Sequence, residues 1–282
     1  MNGISNIGNS CYLNSAIQML FNSNGFIEIS RGTIFEDFIN KYRNYKVYNP
    51  AEVKTIVSKN NKMFANTNQQ DSYEFIIYLF DVLDKILGNS PKNILYNKFG
   101  IEITTNIKCK MHKKNFSCNY ESNNVITELF LQLPITDELD LSDSYRNYKS
   151  MNILENDNAY YCEKCKNHTT ARKNTITTKW PDSLIIVFKR FDYNMRKDSR
   201  QINIPLNWRH GYKLKGGIIH LGVYGGGHYI YYGEKNNEWF VANDSNISKT
   251  DDINSFINHQ GKDSYILHYE KSIEDYKLTT KL

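Results

Sequence analysis

The spacing of apolar residues along this chain changes near residue 99, and the change divides the sequence into two portions. In the first portion Leu13, Ile17 and Leu20 recur at helical spacing, which predicts a helix that begins near Ser10 or Cys11. The same spacing predicts three further helices, over residues 35–42 and 50–57 and from Asp71 or Ser72 to a stop at Gly88.

From residue 99 onward, alternating apolar residues and runs of β-branched residues predict strands. These strands cover residues 101–107, 127–133, 169–178, 184–191, 217–224, 228–233, 239–242 and 264–269. The run 184–188 is apolar throughout, which predicts a central strand. Residues 137–158 are polar and poorly periodic, so we expect an exposed excursion between strands.

Length, composition and charge narrow the protein class. The chain has 282 residues, of which 40% are hydrophobic, and this predicts one large domain with an elaboration. Its net charge of +5 comes from 35 basic and 30 acidic residues that are mostly interleaved, so we expect no nucleic-acid partner. Residues 1–5 do not resemble a signal peptide, and no apolar run is long enough to cross a bilayer. We therefore expect no membrane partner.

The cysteines favour metal or thiol chemistry over disulfides. Their number is odd, and two of them form the motif Cys162-x-x-Cys165, which suits a reducing, intracellular compartment such as the cytoplasm or nucleus. Cys109 and His112 form a second pair, and the two pairs supply four ligands for a structural zinc ion at polar turns outside the core. The fourth ligand stays open between His112, Cys118 and His168.

Cys11 stands where the first helix is predicted to begin, after the small, turn-prone residues 6–10. Backbone amides and the positive end of the helix dipole would face its sulfur and favour the reactive thiolate. The simpler alternative is a buried cysteine that only packs. Asp71 likewise has a simple explanation as a helix cap.

A cysteine nucleophile needs a base and a third group that orients the base. His228 follows three glycines, which allow a close backbone approach, and it opens a predicted strand. Asn243 and Asp244 end a later strand side by side, and either could accept the imidazole N–H. A hairpin loop, a surface histidine and a plain turn are the alternative explanations of these features.

Several stretches follow one another in a specific order. They are residues 3–15 around Cys11, residues 69–75 (Gln-Gln-Asp-Ser-Tyr-Glu-Phe), residues 188–191 (Phe-Lys-Arg-Phe), residues 212–229, Trp239 with Asn243-Asp244, and residues 265–269. Taken together, they resemble the catalytic domain of the ubiquitin-specific protease family of deubiquitinating cysteine proteases. The resemblance covers nearly the whole chain.

The resemblance implies a role for each residue of a catalytic centre. Cys11 would attack the carbonyl of ubiquitin's C-terminal glycine, with His228 as the base and Asn243 orienting it. Asp244 would assist Asn243 or substitute for it. Asn6 would donate a hydrogen bond to the oxyanion of the tetrahedral intermediate.

The resemblance also implies a channel for ubiquitin's extended tail. Asp71 and Tyr229 would bind the tail, while Gly226 and Gly227 would line a passage narrow enough to select paired glycines. The partners implied are ubiquitin and ubiquitinated proteins, and we expect a monomer.

The fold implied is papain-like α+β, with a helical thumb, a sheet-based palm and β fingers that carry the zinc knuckles. The catalytic domain would span residues 1–270, divided into a thumb over about 1–98 and fingers and palm over about 99–270. A polar tail would follow over residues 271–282.

Four positions depart from the family pattern, without touching the catalytic roles. They are His112 where cysteine is usual, Ser72-Tyr73 in place of Ala-His, and Ala242 in place of an aromatic residue. Two alternative functions stand beside a deubiquitinase. One is a ubiquitin-binding module with little catalysis, and the other is a protease for another diglycine-ended, ubiquitin-like modifier.

Overall fold

The computed structural model describes residues 1–272 except 91, 111, 114 and 115, and of residues 112, 113, 116 and 117 it describes only the backbone. The helices are α1 (Cys11–Phe21), α2 (Asn24–Ile29), α3 (Ile34–Asn44), α4 (Ala51–Asn60), α5 (Ser72–Ile86), α6 (Ile94–Phe99), α7 (Leu141–Tyr148) and α8 (Ile253–Gln260), with 3₁₀ turns at Lys62–Ala65 and Asn156–Asn158. Among the described helices, none is long and apolar enough to span a membrane.

The strands follow mainly after residue 100. They are β1 (Gly3–Ile4), β2 (Val47–Tyr48), β3 (Ile101–Cys109), β4 (His112–Lys113), β5 (Phe116–Ser117), β6 (Glu121–Glu128), β7 (Leu131–Leu133), β8 (Asn152–Leu154), β9 (Tyr160–Cys162), β10 (Asn167–Thr169), β11 (Ala171–Lys179), β12 (Ser183–Phe188), β13 (Asn207–Trp208), β14 (Tyr212–Val223), β15 (Gly226–Lys235), β16 (Glu238–Asn243), β17 (Asn246–Thr250) and β18 (Ser264–Lys271).

The predicted helices are present, and their ends follow local chemistry. α1 begins at Cys11, as predicted. Asp71 caps α5, because its carboxylate accepts the N–H groups of Tyr73 at 2.8 Å and Glu74 at 3.0 Å. Beyond the end of α5, Gly88 lies in the left-handed region at φ +96°, a conformation that costs glycine little.

The prediction of an exposed excursion over residues 137–158 is wrong in part, because the segment contains α7 and β8, and one side of α7 is buried. Asp140 caps α7, and Leu141, Ser144 and Tyr145 form its buried stripe. The stripe has helical spacing, but only two of its residues are apolar. A signal this short is lost among the surrounding polar residues.

Two predicted strands differ from the observed ones. The run 127–133 is divided between β6 and β7, which belong to different sheets. The run 184–191 ends with β12 at Phe188, after which Arg190 turns into the interior and is 1% exposed. Its guanidinium donates to the backbone carbonyls of Asp198, Arg200, Gly261 and Ser264. A buried cation satisfied only by backbone oxygens leaves no pattern in the sequence.

The strands form one large and one smaller sheet, besides three isolated pairs. The large sheet has the order β17-β16-β15-β14-β18-β12-β7, with β13 paired to β14 beside this path. The smaller sheet has the order β6-β3-β11-β8. All six residues of β12 are buried, and β12 is an interior strand between β18 and β7. Helices followed by mainly antiparallel sheets confirm the α+β class.

Two hydrophobic cores lie on opposite faces of the large sheet, and β12 shows the alternation. Ile185 and Val187 belong to the core shared with the helices, while Leu184 and Ile186 belong to the core on the other face. All residues of α1 are buried, and the helix packs against α5 and β15. Each fully buried aliphatic side chain contributes about 1.5–3 kcal/mol, so this packing fixes the position of Cys11.

Candidate active site and cysteine cluster

Cys11 lies at the start of α1 and is only 4% exposed. Burial raises the pKa of its thiol, and the backbone N–H of Tyr229 opposes that rise. The carboxylate of Asp244 raises the pKa further, whereas the N–H groups of Tyr12 and of Cys11 itself lower it. The expectation that the helix end favours the thiolate is therefore wrong for the free site, because the cost of desolvating a charged sulfur exceeds the help from the amides.

His228 lies near the start of β15, and its Nε2 is 2.7 Å from Oδ1 of Asn243. β15 and β16 are neighbouring antiparallel strands, and Asn243 is the last residue of β16. Because an amide oxygen can only accept, Nε2 carries the proton in this pair and Nδ1 keeps its lone pair. An imidazole held in this form can take a proton at Nδ1.

Asp244 lies in the turn between β16 and β17, with φ +50°. Its Oδ2 accepts from Nδ2 of Asn6 at 2.9 Å, and its Oδ1 accepts from Nδ2 of Asn14 at 2.7 Å. Both carboxylate oxygens are therefore engaged with the segment around Cys11. The side chain that contacts His228 is that of Asn243, its neighbour in the sequence.

The amide of Asn6 is held on both sides. Its Oδ1 accepts from the N–H groups of Gly8 at 3.1 Å and Ser10 at 3.2 Å, while its Nδ2 donates to Asp244. A carboxamide nitrogen has two hydrogens, so a second donor is left on a side chain that cannot rotate freely.

Asp71 collects four hydrogen bonds from inside the protein. Besides the two α5 amides, its carboxylate accepts from the hydroxyls of Tyr229 at 2.9 Å and Tyr265 at 3.2 Å. Burial raises the pKa of Asp71, and these donors oppose the rise. The helix cap predicted from the sequence thus also fixes two tyrosines. The sequence motifs assign Tyr265 no role at the site, because nothing local connects it to residue 71.

A channel leads to Cys11 between the start of α5 and the β14–β15 hairpin. Its walls include Asp71, Glu74, Phe191, His220, Tyr224, Gly225, Gly226, Gly227, Tyr229 and Tyr265. A Cβ on Gly227 would lie 2.5 Å from Nε2 of His220 and 2.4 Å from the carbonyl oxygen of Leu221, so no side chain fits there. Gly226 faces open space, and its missing side chain widens the channel. The structure therefore places the predicted residues Asp71, Tyr229, Gly226 and Gly227 around one channel.

A second cysteine site lies at the far end of the smaller sheet. The sulfurs of Cys109, Cys118, Cys162 and Cys165 all lie within 4.8 Å of one another. The structure thus joins three predicted ligands to Cys118, one of the alternatives for the fourth position. The side chain of His112 lies outside the described residues. His168 is engaged elsewhere, with Nδ1 3.1 Å from the carbonyl oxygen of Ala159.

The geometry of this cluster fits a tetrahedral metal ion. Sγ of Cys118 is 3.8 Å from Sγ of Cys162, and Sγ of Cys109 is 3.9 Å from Sγ of Cys165. A tetrahedron with zinc–sulfur bonds of about 2.3 Å has edges of about 3.8 Å. A disulfide has a much shorter S–S distance of about 2.05 Å. Three of these thiols are buried, contrary to the prediction of polar, exposed turns.

Comparisons with known proteins agree with this site. A family model described as ubiquitin carboxyl-terminal hydrolase matches residues 2–269. The chain is 24% identical to the probable ubiquitin carboxyl-terminal hydrolase 16 of Schizosaccharomyces pombe, over 99% of this chain and 69% of that protein. It is 25% identical to ubiquitin carboxyl-terminal hydrolase 16 of Arabidopsis thaliana, over 95% of this chain and 30% of that protein.

The fold also matches a solved structure, that of the SAGA DUB module with Ubp8, Sgf11, Sus1 and Sgf73 bound to monoubiquitin. The TM-score is 0.78 at 22% identity, over 96% of this chain and 69% of that chain. This likeness confirms the papain-like fold with thumb, palm and fingers. The chain belongs to the ubiquitin carboxyl-terminal hydrolase family, as the motifs predicted. Its class is that of the cysteine-type deubiquitinating enzymes.

Proposed function

We propose that this protein is a thiol-dependent deubiquitinase that hydrolyses the peptide or isopeptide bond after the C-terminal glycine of ubiquitin. The observation that carries the proposal is the pair of His228 and Asn243, 2.7 Å apart, on the two strands β15 and β16 that pack against the helix carrying the buried Cys11. The family membership agrees with it, and so does the monoubiquitin bound to the structural neighbour.

Because burial raises the pKa of the Cys11 thiol, the first step needs a base. Nδ1 of His228 takes the thiol proton, and the sulfur attacks the carbonyl carbon of the terminal glycine. The imidazolium that forms keeps its Nε2–H bond to Asn243, which holds the ring in place.

The tetrahedral intermediate carries its negative charge on the former carbonyl oxygen. The second hydrogen of Asn6 Nδ2 and the backbone N–H of Cys11 are the donors we assign to it. Asp244 holds Asn6 from the opposite side, so this donor is fixed before substrate arrives. One such donor contributes roughly a hundredfold to a thousandfold in kcat.

Collapse of the intermediate breaks the C–N bond, and His228 gives its proton to the leaving amine. The product is a thioester between Cys11 and the glycine. His228 then takes a proton from water, the resulting hydroxide attacks the thioester, and the thiol and a free carboxylate are released.

We also propose that Cys109, Cys118, Cys162 and Cys165 hold one structural zinc ion. The support is that all four sulfurs lie within 4.8 Å of one another and that two of their distances, 3.8 and 3.9 Å, match the edges of a zinc tetrahedron. A bound zinc ion would tie β3 and the segment after it to the β9–β10 hairpin. With four sulfur ligands it would have no open position for catalysis.

A fluorogenic ubiquitin conjugate tests the activity. Wild-type protein should release the fluorophore and Cys11→Ala should not, while both should have the same circular dichroism spectrum. Release by Cys11→Ala at the wild-type rate would refute the mechanism. A parallel panel of diglycine-ended modifiers tests the choice of ubiquitin, which should be cleaved fastest.

A further inference from the structure

The side chain of Gln69 is bonded to the backbone of the channel wall opposite it. Its Nε2 donates to the carbonyl oxygen of Gly227 at 3.1 Å, and its Oε1 accepts the N–H of Gly227 at 3.2 Å. One residue of an antiparallel strand makes the same two bonds with its hydrogen-bonded partner. The carboxamide of Gln69 thus stands in for the peptide group of a neighbouring strand. We refer to this pair as the Gln69 bridge.

Among the residues that the structure describes, no strand pairs with the first half of the β15 edge that Gln69 occupies. β14 pairs with β15 from Gly226 to Gly233, whereas β16 pairs with it only from Tyr231 to Lys235. The N–H and C=O of Gly227 both form hydrogen bonds with the side chain of Gln69. They must therefore point away from β14, toward the channel.

Alternate residues of a strand present their backbone groups to the same edge, so Tyr229 faces the same way as Gly227. The backbone N–H of Tyr229 is one of those that act on the sulfur of Cys11. The Gln69 bridge and the nucleophile therefore lie along one strand edge. Their positions are separated by two residues, or about 7 Å.

An extended chain with its last carbonyl at Cys11 would follow this edge and meet the backbone of Gly227. Resting on the proposed function, we infer that Gln69 occupies the position of a peptide group of the incoming ubiquitin tail. The tail replaces the Gln69 carboxamide and takes over its two hydrogen bonds with Gly227. Gln69 is thus a gate on the substrate channel.

The loop that carries Gln69 is fixed, so the exchange needs only a side-chain rotation. Nδ2 of Asn9 donates to the carbonyl oxygen of Thr67 at 2.9 Å, and Nζ of Lys54 donates to that of Asn66 at 2.6 Å. On the other side of Gln69, Asp71 caps α5. A glutamine on a fixed backbone can swing out of the channel without moving the residues around Cys11.

The test compares Gln69→Ala with Gln70→Ala as a matched control. Gln70 is the adjacent glutamine, but its Nε2 donates to the carbonyl oxygen of Met63 within the helical region, at 3.0 Å. Since substrate binding to the wild type must break the Gln69 bridge, Gln69→Ala should lower KM for a ubiquitin conjugate by about threefold to tenfold. Its kcat should stay within about twofold of wild type, as should both constants of Gln70→Ala.

A measurement without ubiquitin examines the bridge itself. Hydrogen–deuterium exchange of the Gly227 amide should be faster in Gln69→Ala than in wild type or Gln70→Ala, because its acceptor is gone. Addition of ubiquitin to the Cys11→Ala protein should slow the same amide.

Each outcome decides the proposal. A KM that is unchanged or raised in Gln69→Ala, with wild-type activity present, would overturn the gate and leave the deubiquitinase assignment intact. If wild-type protein neither binds nor cleaves ubiquitin, the proposed function fails. The gate proposal then fails too, because it assumes that a ubiquitin tail binds along this edge. In that case, faster exchange of the Gly227 amide in Gln69→Ala would show only that the Gln69 bridge is a structural hydrogen bond.

Discussion

The side chain of Cys11 and those of the four-cysteine cluster are chemically the same but lie in opposite surroundings. The sulfur of Cys11 meets backbone N–H groups, the carboxylate of Asp244 lies near it, and a channel leads to it from solvent. The four sulfurs of the cluster meet one another, at distances of 3.8 and 3.9 Å for two of the pairs. A sulfur facing donors and open space can attack a substrate, whereas four mutually facing sulfurs can share one cation.

The two sites are also assembled differently. Asn6 contacts the side chain of Asp244, and Cys11 lies beside the backbone of Tyr229, only because α1 packs against β15 and β16. The cluster is assembled mostly within the smaller sheet and the hairpin beside it, where Ala171 of β11 pairs with Cys109. We therefore expect substitutions at one site to leave the other nearly unaffected.

Replacing sulfur by oxygen at Cys11 should have the largest effect. Cys11→Ser should lower kcat/KM at least about a thousandfold, because a serine hydroxyl is a much weaker nucleophile at this site. Zinc content and the thermal midpoint should match wild type. Steady-state assays and elemental analysis check this, and a loss of zinc in Cys11→Ser would show that the sites are coupled.

Replacing the sulfur of Cys162 by oxygen should lower the stability of the protein. Cys162→Ser should reduce bound zinc from about one equivalent and lower the free energy of unfolding by several kcal/mol, since metal binding contributes directly to folding. Alkylation of Cys11 by iodoacetamide in the folded protein should be unchanged. Purified wild-type protein without zinc would refute the metal assignment.

Asn243→Ala should lower kcat by about a hundredfold, because His228 loses the acceptor that fixes its ring and tautomer. Asn243→Asp keeps an acceptor and should recover most of the activity. If Asn243→Ala retains full activity, then Asp244 or water orients His228 instead.

Asp244→Ala should lower kcat by about tenfold, since Asn6 remains but loses one of the bonds that hold it. The carboxylate of Asp244 raises the pKa of Cys11, so removing it should lower that pKa. The pH profile of Cys11 alkylation should then shift toward lower pH. A profile shifted to higher pH would contradict the electrostatic part of this assignment.

The smallest effect concerns the buried histidine beside the channel. Burial lowers the pKa of His220 to about 4, below its unfolded value of about 6.5. The unfolded chain therefore binds more protons between these values, and stability should fall as the pH drops below about 6.5. His220→Phe should reduce the dependence of the free energy of unfolding on pH in this range by at most about 1.4 kcal/mol per pH unit. The free energy of unfolding of both proteins is measured by urea titration at several pH values. The same pH dependence in wild type and His220→Phe would contradict the lowered pKa of His220.

The sequence alone determined the elements with strong periodic signals and the residue types needed for chemistry. It predicted α1, α5 and β12, because long apolar patterns and caps such as Asp71 are local properties. It also selected Cys11, His228 and Asn243 as candidates, through motifs in a fixed order. It missed α7, whose buried stripe holds only two apolar residues, Leu141 and Tyr145.

Only the tertiary structure decided how these residues combine. The approach of α1 to β15 buries Cys11, which reverses the expected direction of its pKa shift. The turn after β16 directs Asn243 to His228 and Asp244 to Asn6, although the two residues are adjacent in the chain. The contacts of Asp244 join residues more than 200 positions apart, and a local sequence pattern carries no distances of that kind.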